Sequence, residues 1–250
     1  MKKWFPYNKG GEYRRWYGNN EWLVNWENDG EELFDLARKI YGSPTRTIQN
    51  GQFYFRPALT WSLISSSFFA VRCSDQGFLF DVGGSSAFPP DEWRECIAGF
   101  LCSSIAFDMM KVLNPTMNFP AGSVAALSIL QPQLLVRKSV IDAVVREAVQ
   151  LARTDWDSFE TSWDFQTLPV LRDQGTDAPR SEGHTLAQSQ AAAAAEALAR
   201  FQCMKQLEEE NNRIFIEAYG LQDELSPYHL KNPWLKAHAL AGCHEGGKLA

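Results

Sequence analysis

The segment Lys9-Gly10-Gly11-Glu12-Tyr13-Arg14-Arg15-Trp16-Tyr17-Gly18-Asn19-Asn20 gathers groups that bind a polyanion. Cations and free backbone N–H groups suit phosphate oxygens, while Arg, Asn and Gln forks read base edges. Double-stranded DNA is the partner this chemistry names. The expected phosphate contacts are Lys9, Arg14, Arg15 and Arg72. The expected base or groove contacts are Tyr17, Asn19, Arg56, Ser65 and Ser66. The competing reading of the same residues is a solvated strand edge with its aromatics in the core.

Catalytic patterns are approached and missed. Leu79-Phe80-Asp81-Val82-Gly83-Gly84-Ser85 places an apolar run before a Gly pair but lacks the Lys-Ser/Thr of a phosphate-binding loop. A strand followed by a tight turn is the plainer reading. Asn114-Pro115-Thr116-Met117 is similar to the Asn-Pro-Pro-aromatic loop that holds a flipped adenine, without the second Pro or the aromatic. It reads as a helix stop. Asp91, Asp108 and Lys111 have the wrong spacing for a metal-dependent nuclease. His238, Cys243 and His244 lack paired zinc-ligand spacing. No catalytic residue, cofactor-binding residue or metal ligand is expected in this chain.

These groups need elements to position them. Gly10-Gly11, Gly18-Asn19-Asn20 and Asn28-Asp29-Gly30 predict turns between short strands. A helix is predicted over Glu31 to Tyr41, stopped by Gly42. Aromatic runs at 53–55, 61–64, 68–71 and 78–82 predict strands, and 124–130 a last one. One helix is predicted from Pro90 to Leu113, and another from a cap at Ser139 to Arg153. A long helix is predicted over about 185–219. At 1.5 Å per residue its length, about 50 Å, suggests a spacer or hairpin arm. Residues 173–186 suit a mobile loop. The expected fold is α+β: a mixed or antiparallel-sheet domain (1–133), a helical connector region (134–225) and an irregular tail (226–250). Trp16, Trp22, Trp26, Trp61 and Trp93 are expected in the core.

Composition sets the outer bounds. With 250 residues, 45% of them hydrophobic, the chain can bury a substantial core, which excludes full disorder and a disulfide scaffold. The net charge of -6 argues against nucleic acid only until position is considered. Residues 1–20 sum to +4 and residues 151–200 to -4. Five scattered Cys read as reduced, mostly buried thiols. No clean apolar run of about 18 residues and no signal peptide is seen, so a cytoplasmic protein without a membrane partner is expected.

The opening loop, with Val24-Asn25-Trp26-Glu27-Asn28-Asp29-Gly30, resembles the target-recognition region of the PglX family. These are the adenine-specific DNA methyltransferases of bacterial BREX phage-exclusion systems. Further blocks at 60–67, 80–86, 113–119, 155–165 and 210–221 agree in the same order, from about Lys9 to Ser226. The resemblance implies S-adenosylmethionine as cofactor of the intact enzyme. It places the Gly-rich and Asn-Pro-Pro-aromatic motifs in a separate upstream domain. The chain is then expected to be a DNA sequence-recognition fragment, from a truncated or split enzyme, not catalytic alone. Its partners would be DNA and a methyltransferase domain in trans or other defence-system subunits.

Two alternatives come from different classes. One is a protein-interaction module that docks a partner through a seam of Leu198, Phe201 and Met204 on the long helix. The other is a non-functional remnant.

Overall fold

The computed structural model describes residues 2–65, 68–171 and 185–228. The expectations for 173–184, for Ser66, for nearly all of the 226–250 tail, and for His238, Cys243 and His244 therefore lie outside the described residues. The fold is α+β, as expected, with two small sheets and helices. One sheet has the order β2-β1-β5, with β1 (Trp4–Asn8) antiparallel to β2 (Trp22–Asn25) and parallel to β5 (Leu79–Phe80). The other has β3 (Ala58–Thr60) at its centre, antiparallel to β4 (Arg72–Ser74) and β6 (Ser86–Ala87).

Six helices follow from local signals of unequal strength. The first, α1 (Glu31–Tyr41), lies between two left-handed glycines. Gly42, at φ 74°, turns its N–H back to the Arg38 carbonyl. The 33-residue α6 (Leu186–Ala218) starts in a capping box between Thr185 and Gln188. Between these lie α2 (Arg94–Leu101), α3 (Ser104–Leu113), α4 (Ala121–Ala125) and α5 (Gln131–Trp156).

Four sequence expectations are corrected. The helix over 90–113 is broken by 73° between its halves. Ser103 caps the second half by accepting from Ala106 N–H, and Asn212 of α6 accepts from Ser104 N–H at 2.9 Å. The 124–130 strand is absent, because Pro120 opens the short α4 there. α5 begins at Gln131, not Ser139, since Pro132 suits a first helical turn. The run at 53–55 is also no strand: a 3-10 turn covers Gly51–Phe53 and Phe55 has φ 66°.

α5 and α6 run antiparallel, since Arg137 pairs with Glu217 and Cys203 with Glu147. The expected boundary at 133/134 falls inside α5. One core cluster joins Trp16, Trp61 and Phe69 of the strand region to Ile141, Val145 and Phe215 of the helices. α6 is therefore a hairpin partner, buried from Met204 onward, and not a free spacer. Trp16, Trp26 and Trp61 are buried and Trp93 packs against the core, but Trp22 is half exposed. Among the described residues Cys96 and Cys102 are buried and no cysteine is bonded to another. No single described helix is long and apolar enough to cross a membrane; the bent pair α2–α3 passes by composition only and supplies core residues.

Candidate functional site

The loop that carries the expected contacts is pinned from beneath. Trp16 holds φ 71°, a costly conformation for a bulky residue. Its N–H donates to the Val71 carbonyl (2.9 Å) and its carbonyl accepts from Cys73 N–H (2.7 Å). Its indole N–H donates to Glu208 Oε1 at 3.1 Å. Glu208 lies on the buried stripe of α6, so the loop is bolted to the helical hairpin.

That bolt changes the role of Arg15. Its Nη1 lies 3.1 Å from Glu208 Oε2, with both side chains buried. Burial lowers the Arg15 pKa, but Glu208, Tyr13 and Cys102 together outweigh this and hold it above the usual value. Arg15 is thus an interior ion-pair partner, a correction to its expected place at the surface. Arg14 lies half outside. Its Nη1 is 3.6 Å from Asp155, and its guanidinium lies 4.5 Å from the Trp156 ring centre. Burial lowers its pKa, and Asp155 opposes the shift. The local +4 of the opening segment is therefore largely matched within the chain. Lys3 also pairs with Glu27, at 3.3 Å.

The remaining expected residues fall into separate groups. Lys9 is exposed, with its ammonium 4.8 Å from the Trp22 ring. Asn19 donates to the Glu12 carbonyl at 2.8 Å and lies against Gly11, which would collide with it if it carried a Cβ. Arg14, Ser65 and Arg72 meet at one cavity of about 200 Å³, with Tyr13 and Ser62. Ser62 Oγ donates to the Gly11 carbonyl, tying this cavity to the glycine turn. Arg72 is buried, a second correction to an expected surface cation. Arg56 stands apart, exposed beside Phe53. Tyr17 is also apart, with its ring 4.4 Å from the Arg153 guanidinium, which pairs with Asp75.

Tyr17 faces a groove that sequence reasoning missed. It is about 430 Å³, lined by Tyr17, Asn20, Asp75, Trp156, Trp163 and Asp164 among others. The signal was present in the two Trp-Asp pairs of the 155–165 connector. Glu208 was also legible in part: it stands four residues after Met204 and seven before Phe215, on the buried face.

The rejected motifs are structural. Asp81 Oδ1 accepts from Gly83 N–H (2.8 Å) and Gly84 N–H (3.1 Å), forming a tight turn after β5. Asn114 ends α3 and accepts from Thr116. Asp108 and Lys111 pair with each other on α3. No cluster of three metal-ligating side chains occurs among the described residues.

No protein-family model matches the chain. Two curated proteins do match. It is 41% identical over 231 residues to the adenine-specific methyltransferase PglX of Lacticaseibacillus casei (strain Zhang), covering 90% of this chain and 18% of that protein. It is 33% identical over 176 residues to the adenine-specific methyltransferase BrxX of Escherichia coli O9:H4 (strain HS), covering 69% and 13%. The chain is homologous to a part of these methyltransferases and spans less than a fifth of their length.

Proposed function

We propose that this chain is a DNA sequence-recognition portion of an adenine-specific, phage-defence methyltransferase of the BREX type. The observation that carries the reading is the match over 90% of the chain to a small part of such an enzyme. The chain itself offers neither a Gly-rich cofactor motif nor an Asn-Pro-Pro-aromatic loop. S-adenosylmethionine and methyl transfer then belong to the rest of the enzyme. The contribution of this part is to select and hold the duplex.

The geometry supports a division of labour. Glu208, Trp16 and Arg15 fix the loop, and the groups left at its outer side do the contacting. Lys9, Arg14, Asn19 and Ser65 are those groups. Arg15 belongs to the support. Replacing Arg14 by Gln is expected to weaken retention of a duplex carrying the target site. It also lowers the slope of log affinity against log salt by about one unit, as loss of one phosphate contact does. Fluorescence anisotropy across a salt series measures both. An unchanged slope with unchanged affinity would sink the assignment of Arg14, and no duplex retention by the parent chain would sink the reading.

A further inference from the structure

Arg72 is a buried cation with no carboxylate paired to it among the described residues. Its backbone is fixed in β4 opposite Thr60 and bridged to Trp16, so the side chain cannot swing out freely. It is 3% exposed. Its Nε has no hydrogen-bond partner, and no carboxylate among the described residues offsets its charge. Burial lowers its pKa to about 10, and the neighbouring Arg14 pushes in the same direction. A buried charge is tolerated when it is paired. A water molecule would satisfy the Nε hydrogen but not the charge.

The surroundings say what would. The guanidinium borders the 200 Å³ cavity lined by Tyr13, Arg14, Ser62, Ser65, Phe69 and Phe119 among others. No carboxylate lines it. Two arginines, Arg72 and the Asp155-paired Arg14, therefore stand at a space walled otherwise by hydroxyls and aromatic rings. Such a donor set is built for the oxygens of an anion.

We propose that this cavity is an oxyanion site, in which Arg72, with Arg14 beside it, binds one phosphoryl group seated at its mouth. In part it deepens the DNA reading, which supplies a backbone phosphate as the anion. A free phosphate monoester is the other source of the same chemistry.

The test uses the whole chain and inorganic phosphate as probe. At constant ionic strength, replacing chloride by phosphate raises the melting temperature and the effect saturates. Arg72→Met removes the response, while melting in chloride stays equal or rises because the unpaired charge is gone. If Arg72→Met does not fold, Arg72→Lys replaces it: the charge is kept, the fork is lost, and affinity falls about tenfold. Equal melting of the parent chain in both salts overturns the site, as does a phosphate response that survives in the Arg72 variant. Anisotropy with duplex DNA separates the sources. Competition by phosphate together with weaker DNA binding by the variant assigns the site to the backbone. Equal DNA binding by both proteins, with phosphate still stabilising only the parent, assigns it to a free oxyanion. A parent chain that retains no duplex defeats the DNA reading, and the melting result still decides the site.

Discussion

Glu208 decides which arginine of the loop is interior. It accepts from the Trp16 indole and neutralises Arg15, so one buried carboxylate serves two partners of a left-handed turn. Removing one member of a buried ion pair leaves the other charge uncompensated, which typically costs about 3–5 kcal/mol. Glu208→Gln keeps the shape and an acceptor for the indole but strands Arg15. It is expected to lose roughly that much stability in a urea melt, and Arg14→Gln, at a longer and less deeply buried pair, less. Similar losses for the two would show that Glu208 is not the bolt. The cysteines give a pH dependence. Burial raises the Cys96 and Cys102 pKa values to about 11 and that of Cys73 to about 12, against an ordinary 9.0. A raised folded pKa means that the folded thiol holds its proton more tightly. The stability it contributes is complete below pH about 9 and is lost as pH climbs toward 11. Tyr13, raised to about 12 by burial, adds to the same trend. Urea melts at pH 8 and pH 10 should show the fall; constant stability would mean that these side chains are solvated. The Cys arrangement was legible because scattered thiols in an apolar chain pack as small hydrophobes. The Arg15–Glu208 pair was not, since the partners stand 193 positions apart and no local pattern links them.

At the scale of elements, legibility followed how local the cause was. α1 and α6 were readable because their stops and caps are written in adjacent residues, Gly42 and Thr185 with Gln188. The break between α2 and α3 was not readable from the apolar stripe. Ser103 marks it, but Asn212 and the Val71 carbonyl, which takes the Cys102 thiol, complete it from far along the chain. The short strands were misplaced by a few residues for a related reason. Aromatic runs name a buried surface, while backbone pairing decides which residues lie in the ladder. The turn after β5 shows how tightly that pairing is set. A Cβ on Gly84 would stand 2.1 Å from the Asn8 carbonyl oxygen, at backbone that cannot yield. Gly84→Ala should therefore part β5 from the opening strand and cost at least roughly 1–3 kcal/mol, the range for overpacking. Gly122→Ala, in open space on α4, is the matched control and should be neutral or slightly stabilising. Equal melting of the two variants would contradict the close approach of the two backbones.

Across the whole molecule, the opening loop and the helical hairpin form one folding unit. The sequence suggested a boundary at 133/134 because composition and charge change there. Physically the change marks a division of roles within one core. Trp16, Trp61 and Phe69 share their cluster with Ile141, Val145, Ala148 and Phe215. Gly99 of α2 lies at the crossing: its carbonyl accepts from Asn211 of α6, and a Cβ there would meet Asn211 at 2.9 Å and Val145 and Ile141 of α5 at 3.0 and 3.1 Å. The acidic second half is likewise placed against the basic opening segment, through Asp155 and Glu208. Two cations of the +4 segment are thus matched internally, Arg14 by Asp155 of the -4 segment and Arg15 by Glu208 beyond it, and the sign of the total says little about the outer face. A polypeptide of residues 1–133 would expose the partner faces of α2 and α3 and leave Arg15 without its carboxylate. It is expected to lack a cooperative melting transition and to bind a hydrophobic dye, whereas the whole chain melts in a single step by calorimetry. Two separate transitions in the whole chain, or a sharp transition in residues 1–133, would mean that the hairpin is an attachment and that the loop holds its shape without it.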